Sequence, residues 1–166
     1  MGSGWLTCRP QPETHEELSS WGADVVASLQ TGNESADSAR IVKEAASAGR
    51  LEGYGFFAIT RKRGPAHTKD RCRTFGELVK FTAHHLERGH KVVIHCCGRG
   101  QRRTGIAIYL VLRYLGRFDA SCLRTMERMR PEMYKQFVKQ AAGHDFHRMA
   151  QDIFTNHSFS LRLEAL

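Results

Sequence analysis

Short apolar segments alternate with amphipathic segments along the chain, and this alternation predicts its secondary structure. Three runs rich in β-branched and aromatic residues predict buried strands, at residues 23–29, 53–60 and 91–96. Helical composition, capping boxes and terminal glycines predict helices at residues 14–22, 35–49, 74–88, 104–115, 119–129, 131–142 and 144–154. Strands that alternate with helices indicate an α/β fold, with a central, mostly parallel sheet flanked by helices.

Two stretches of the chain indicate where a functional site lies. Residues 61–73 form a basic segment before the capping box Thr74-Phe75-Gly76-Glu77, and we expect this segment to be a long loop. The helix at 104–115 is apolar on most of its faces, which places it in the middle of the domain. The turn before that helix follows the strand at 91–96, and parallel α/β folds bind ligands at the carboxyl ends of strands. We therefore expect the functional site in this turn.

The turn has the composition of an anion-binding loop with a nucleophile, and it consists of Cys97-Gly98-Arg99-Gly100-Gln101-Arg102-Arg103-Thr104-Gly105. Glycines between a strand and a helix allow successive backbone N–H groups to surround an anion at the helix N-terminus. This positive field favours the thiolate form of Cys97, which is the nucleophilic form of cysteine. Arg103 can offer two parallel N–H donors to phosphate oxygens, and the hydroxyl of Thr104 can donate to the sulfur.

The turn closely resembles the C-x5-R-[ST]-G signature of the protein tyrosine and dual-specificity phosphatases. The resemblance implies that residues 1–166 form a single phosphatase domain with the fold of that family. It also implies a two-step reaction, in which the Cys97 thiolate forms a phosphocysteine that water then hydrolyses without a metal or other cofactor. By the same resemblance, the phosphate-binding residues are Gly98, Arg99, Gly100, Gln101, Arg102 and Arg103.

The signature can begin at either of two residues, because Cys96 and Cys97 are adjacent and each has an arginine six residues later. With Cys96 as the nucleophile, His95 would precede it, as is usual in the family. With Cys97, the residues Gly100, Arg103, Thr104 and Gly105 all fall on signature positions. We therefore assign the nucleophile to Cys97, although Cys96 then stands where the family usually has histidine.

The general acid is the part of the family pattern that is missing. Members usually carry an aspartate some thirty residues before the cysteine, where this chain has the basic stretch 60–65. Asp70 is the carboxylate in the predicted loop and is the provisional acid, with His67 as a second candidate. A chain that keeps the cysteine and the arginine but lacks an acid could also be a phosphate-binding pseudophosphatase with little turnover.

Composition restricts the class of protein and its location in the cell. The chain has 166 residues, of which 41% are hydrophobic and 25% charged, as expected for one globular domain. It has no apolar run of the roughly 18 residues that a membrane span needs. Its five cysteines lack paired spacing, which indicates free thiols rather than disulfides or a zinc site. We therefore expect a soluble cytoplasmic protein, with the nucleus as an alternative.

The net charge of +8 predicts an anionic partner, and the charge is concentrated in two places. Basic residues crowd the predicted loop and the signature turn itself: Arg61, Lys62, Arg63, Lys69, Arg71, Arg73, Arg99 and Arg102. This concentration favours a substrate with several phosphates, such as an inositol pyrophosphate, a phosphoinositide headgroup or an RNA 5′-triphosphate. Proteins phosphorylated on tyrosine, serine or threonine are expected as substrates as well, specificity for such a polyanion is the alternative, and nucleic acid is expected only as a 5′-phosphate substrate. The signature turn is similar to the basic loops of atypical dual-specificity phosphatases, some of which act on inositol pyrophosphates.

Overall fold

A computed structural model describes residues 4–59, 65–97, 101–142 and 146–156, and its architecture confirms the predicted α/β class. For Asn33, Ser35, Pro65, Ala66, His67 and Asn156 only the backbone is described. The described strands form one parallel sheet in the order β1-β4-β2-β3, and these strands are β1 (Trp5–Arg9), β2 (Val25–Gln30), β3 (Gly53–Ala58) and β4 (Lys91–Cys96). A short 3₁₀ helix (Gly32–Glu34) follows β2, and the α-helices are α1 (His15–Ser20), α2 (Ser35–Ser47), α3 (Pro65–Glu87), α4 (Arg102–Tyr114), α5 (Asp119–Met129), α6 (Pro131–Ala141) and α7 (Phe146–Asn156).

Helices cover both faces of the sheet, which explains why the central strands consist of consecutive buried residues. Every residue of β2 is buried, and so is every residue of β4 after Lys91. Helices α1 and α2 pack on one face through a small cluster around Trp21 and Val42. On the other face lies the larger core, in which residues 107–112 of α4 are buried, as predicted for the apolar helix.

Strand β1 was not predicted from the sequence. Its five residues, WLTCR, pair with β4 from Trp5↔Lys91 to Arg9↔His95. The burial pattern of this edge strand is irregular, and only Cys8 is fully buried within it. A short edge strand therefore gives too weak an apolar pattern to be recognised on its own.

The predicted loop at 61–73 is wrong from residue 65 onward, because α3 begins at Pro65 and runs through Thr74 without a break. Residues 61–64 lie outside the described part of the chain. Proline is favoured in the first turn of a helix, and the lysine and arginines that follow have high helix propensity. The Thr74 hydroxyl does not cap a helix: it donates to the carbonyl oxygen of Ala58 at 3.0 Å and so ties α3 to the end of β3.

The first capping box, by contrast, is confirmed. Thr14 has an extended backbone at the N-cap of α1, and its side chain accepts from the N–H of Glu17 at 3.2 Å. The Glu17 carboxylate in turn accepts from the N–H of Glu13 at 2.8 Å. Thr14 therefore caps α1 as the sequence pattern indicated, but the Glu17 carboxylate bonds the N–H of Glu13, the residue before the N-cap, instead of that of Thr14.

Candidate active site

The carboxyl end of β4 and the start of α4 bring the candidate nucleophile and arginine together. Cys97 directly follows β4 and is partly exposed, and Arg103 lies in the first turn of α4. The Arg103 Nη1 group lies 3.6 Å from the Cys97 sulfur. Gly98, Arg99 and Gly100, which were predicted to cradle the phosphate, lie outside the described residues. Of the other predicted phosphate-binding residues, Gln101 takes the N-cap position of α4, and Arg102 begins that helix with its side chain exposed.

Glu34 is a residue of this site that the sequence analysis missed. Its carboxylate forms a two-point ion pair with Arg103, at 2.6 Å from Oε2 to Nη1 and 3.4 Å from Oε1 to Nη2. The two side chains are only 15% and 18% exposed. The same Oε2 atom accepts the backbone N–H of Thr31 at 2.8 Å, so the carboxylate is fixed by the loop after β2. A carboxylate held in this way fixes the orientation of the guanidinium.

Glu34 contacts only one edge of the Arg103 guanidinium. A guanidinium has five N–H donors in a planar fork, and here both Nη groups face Glu34 while Nη1 also faces the sulfur. The remaining edge, with the Nε–H and the second Nη2–H, presents two parallel donors. This is the arrangement that binds two oxygens of one phosphate.

The two adjacent cysteines have different environments, because successive side chains of a strand point to opposite faces and Cys97 lies beyond the strand end. Cys96 is 3% exposed, and its sulfur accepts a hydrogen bond from the buried hydroxyl of Thr104 at 3.1 Å. The hydroxyl of Thr104 was predicted to donate to Cys97, but in this structure its proton is directed to Cys96. Cys96 is therefore an inaccessible core thiol, while Cys97 is the accessible one beside Arg103.

His95 was considered as the histidine that precedes the nucleophile, but its side chain lies in the core on the face of α1. It is fully buried, its Nε2 atom hydrogen-bonds the hydroxyl of Ser28, and its ring makes an edge contact with Trp21. Burial lowers the pKa of His95 from 6.5 to about 4. The imidazole is therefore neutral at physiological pH and lies in the core instead of at the site.

Asp70, the provisional acid, lies on α3 rather than on a loop. Its carboxylate is 57% exposed and lies 4.0 Å from Arg73 on the next turn of the same helix. The helix also separates the basic residues that were expected to crowd one loop, since Lys69 and Arg73 share a face that Arg71 does not. The side chain of His67 lies outside the described part, so the role of either residue as the acid stays a prediction.

Gly105, the last residue of the signature, has a packing role that the structure explains. A Cβ atom at this position would lie 3.2 Å from the Cβ of Phe137 and 3.5 Å from the Cγ of Met133. Helix α6 therefore approaches the first turn of α4 as closely as a glycine allows. This contact supports the turn that carries Arg103 from behind.

Comparisons with known structures define the fold of this chain. A mutant form of Tk-PTP gives a TM-score of 0.64 at 19% identity, over 94% of this chain and 93% of that chain. Kinase associated phosphatase, with its catalytic-site cysteine replaced by serine, gives 0.58 at 17% identity over 84% and 89%. The core catalytic domain of the PP-IP phosphatase SIW14 from S. cerevisiae gives 0.50 at 14% identity over 95% and 90%.

The chain thus has the fold of the cysteine-dependent tyrosine and dual-specificity phosphatases, as the sequence resemblance implied. The sequence matches no protein-family model and no curated protein. None of the helices in the described ranges is both long enough and apolar enough to cross a bilayer. Across the same ranges, no three His, Cys, Asp or Glu side chains are grouped in a way that could hold a metal ion.

Proposed function

We propose that this chain is a phosphatase that hydrolyses phosphomonoesters through a phosphocysteine on Cys97. The observation that carries the proposal is the pairing of an accessible thiol with a partly buried arginine, oriented by a carboxylate, at the end of β4. In an α/β fold of this kind, that end of the sheet is where ligands bind. The fold shared with known phosphatases supports the same conclusion.

The proposed reaction has two steps. The Cys97 thiolate attacks phosphorus, the bond to the leaving oxygen breaks, and that oxygen takes a proton from an acid for which Asp70 is the candidate. Water then attacks the phosphocysteine and gives a proton to the conjugate base of that acid, the phosphorus–sulfur bond breaks, and inorganic phosphate leaves as the thiolate is restored. Arg103 holds two phosphate oxygens through both steps, and its charge offsets the negative charge of the transferring group.

The experiment that tests the proposal is the release of inorganic phosphate by the purified chain. The substrates are p-nitrophenyl phosphate, a phosphotyrosine peptide, an inositol polyphosphate and an RNA 5′-triphosphate. We expect turnover of at least the aryl phosphate, because its good leaving group needs little help from an acid. Absence of turnover on all four, at any pH from 5 to 8, would contradict the proposal.

A second candidate function is a phosphate-binding pseudophosphatase. The exposed position of Asp70 on a helix, paired with Arg73, favours it, because a general acid has to reach the leaving oxygen. This candidate predicts that a phosphopeptide binds with an affinity that depends on Arg103 and is released unchanged. Direct binding measured alongside phosphate release separates the two functions.

Replacing Glu34 by glutamine is expected to lower kcat for p-nitrophenyl phosphate by about tenfold, with a smaller change in KM. The amide loses the charge that orients the Arg103 guanidinium, and misorientation of a transition-state donor reduces kcat more than substrate binding. Steady-state kinetics of the variant measure this split. Glu132→Gln removes an exposed pair with Lys135 and serves as the matched control. Equal kinetics of Glu34→Gln and the wild type would show that the ion pair does not position Arg103.

Replacing Thr104 by valine tests which sulfur its hydroxyl serves. Because the hydroxyl donates to the buried Cys96 thiol, its removal is expected to lower the free energy of unfolding by about 1 kcal/mol. Urea denaturation measures this loss. If the hydroxyl also assists breakdown of the intermediate on Cys97, a pre-steady-state burst of p-nitrophenol will be followed by a slowed steady state. Unchanged stability together with a strong burst would contradict the pairing with Cys96.

A further inference from the structure

Strand β3 forms one edge of the sheet, because it pairs with β2 on one side and none of the described strands lies on its other side. The N–H groups of Gly53 and Ile59 are directed to the β2 side of the ladder. Since the backbone groups of successive residues point to opposite sides of a strand, those of Tyr54, Phe56 and Ala58 point away from β2. These three residues present the hydrogen-bonding groups of the open edge.

The sequence of β3 lacks the features that usually keep an edge strand from pairing with another chain. Such strands are commonly protected by charged side chains, by proline or by a bulge. The strand reads GYGFFA, with no charged residue and no proline, and its register with β2 is continuous from Gly53 to Ala58. The ring of Phe56 is exposed. A regular, uncharged edge of this kind is a template for a further strand.

The open edge of β3 fits a second copy of itself. In an antiparallel ladder, two opposed residues exchange both of their hydrogen bonds, and such pairs recur at every second residue. A two-fold axis at Phe56 places the Phe56 residues of the two copies opposite each other and places Tyr54 of each copy opposite Ala58 of the other. Every outward N–H and C=O group of these residues then has a partner. The Ala58 carbonyl also accepts from Thr74, and its oxygen has two lone pairs.

Helix α3 runs antiparallel to β3, and two contacts fix its level along the strand. The Thr74 hydroxyl bonds the carbonyl of Ala58, and the His85 ring lies beside Gly53, where a Cβ atom would be 3.1 Å from the His85 Cε1 atom. The two spans match, because the helix from 74 to 85 and the strand from 53 to 58 both rise by about 16 Å. The level of Phe56 on the strand therefore falls between residues 78 and 79 of α3.

The charges of α3 are complementary under the same two-fold axis. Antiparallel pairing of β3 continues the sheet through both copies and lays their α3 helices antiparallel on one face. Glu77 and Lys80 lie on either side of the level of Phe56, and both are exposed on the flank of α3 that is turned away from the core. The axis brings Glu77 of each copy next to Lys80 of the other. This complementarity favours a second copy of the chain over an unrelated strand.

We propose that this chain forms a two-fold symmetric dimer through antiparallel pairing of β3, with Glu77 and Lys80 of the facing α3 helices as ion pairs across the interface. The Phe56 rings of the two copies pack together at the axis, which removes their exposed surface from water. The dimer is independent of the reaction on Cys97, because neither β3 nor this part of α3 carries a candidate catalytic residue.

Replacing Phe56 by lysine tests the strand pairing. Sedimentation equilibrium is expected to show a wild-type dimer and a Kd for dimerisation that is raised at least about 100-fold in Phe56→Lys, because two ammonium groups then meet at the axis. Phe118→Lys, at the exposed N-cap of α5, is the matched control and is expected to dimerise as the wild type does. Circular dichroism checks that both variants are folded.

The ion pairs are tested between copies. Glu77→Lys and Lys80→Glu each place like charges across the axis, so each variant alone is expected to dimerise about tenfold more weakly than the wild type. In a mixture of the two variants, a mixed dimer has opposite charges at both places and is expected to recover the wild-type affinity. Recovery on mixing cannot arise within one helix, so it separates an interface role from an effect on the stability of α3.

Hydrogen exchange of the backbone amides identifies the paired strand. We expect the amides of Tyr54 and Phe56 to become protected as the concentration of the chain rises and the dimer forms. A wild type that is monomeric up to about 100 μM would overturn the proposal and leave the edge to a strand of another protein. A dimer that tolerates Phe56→Lys would overturn it by placing the interface elsewhere. A dimer that Phe56→Lys disrupts, but in which the charge variants do not recover on mixing, would overturn the antiparallel register.

Discussion

Replacing Cys97 by serine is expected to reduce phosphate release by at least about 10⁴-fold, while Cys96→Ser retains most of the wild-type rate. Serine at position 97 lacks a thiolate, so the first step of the proposed reaction has no nucleophile of comparable reactivity. Cys96 is 3% exposed and hydrogen-bonded to Thr104, so its sulfur cannot reach a substrate. Phosphate release by the two variants from p-nitrophenyl phosphate measures the effect.

This pair of variants also determines the register of the signature. Both substitutions exchange sulfur for oxygen, and circular dichroism of both proteins confirms that a loss of rate is not a loss of fold. A large loss in Cys96→Ser with activity retained in Cys97→Ser would move the nucleophile to Cys96. Full activity in both would show that the reaction does not depend on a cysteine in this turn.

The stability of the fold is expected to fall steeply between pH 6.5 and pH 4 because of His95. Burial depresses the pKa of this imidazole to about 4 in the folded state, whereas in the unfolded chain it is near 6.5. Throughout this interval the imidazole is therefore mostly protonated in the unfolded chain and mostly neutral in the folded chain. This contribution to the free energy of unfolding is fully present above pH 6.5 and is lost as the pH falls. The loss reaches about 3 kcal/mol at pH 4.

Urea denaturation of the wild type and of His95→Gln at several pH values measures this contribution. Glutamine can keep a hydrogen bond to Ser28 but has no titrating group, so the variant is expected to lose less stability across the same interval. An NMR titration of the wild-type imidazole gives the folded-state pKa directly and does not depend on the variant. Parallel pH curves for the two proteins, or an imidazole that titrates near 6.5, would contradict the prediction.

The sequence predicted those parts of the fold whose causes are local. The strands at β2 and β4 follow from continuous apolar runs, and α4 follows from an apolar pattern bounded by glycines. The start of α3 could not be predicted in the same way. A Thr-x-x-Glu pattern is the same whether the threonine caps a helix or lies within one, and here the carbonyl of Ala58, on another element, receives the Thr74 hydroxyl.

The residues of the candidate site likewise fall into those that a local motif predicts and those that depend on distant elements. Cys97 and Arg103 belong to one continuous motif, so the sequence predicted both and the structure brings them together. Glu34 comes from a different strand end, and only the pairing of β2 with β4, which aligns Leu29 with Cys96, places it beside Arg103. One usable indication was that Glu34 shortly follows a predicted buried strand. Which of the two sulfurs meets Thr104 depends on the direction of side chains at the end of β4, which spacing alone does not fix.

The strand order also determines how this protein folds. In the sheet, β4 lies between β1 and β2, although it comes after β1, β2 and β3 in the chain. Until residues 91–96 take their place, β1 has no partner strand in the described sheet, and β2 presents an open edge toward it. Contacts between residues so distant in sequence form slowly, and unpaired strand edges are prone to aggregation until the missing strand pairs with them. Because β4 leads directly into Cys97, the sheet is completed in the same step that forms the surroundings of the nucleophile. A chain in which β4 is not yet paired has neither the complete sheet nor the formed site.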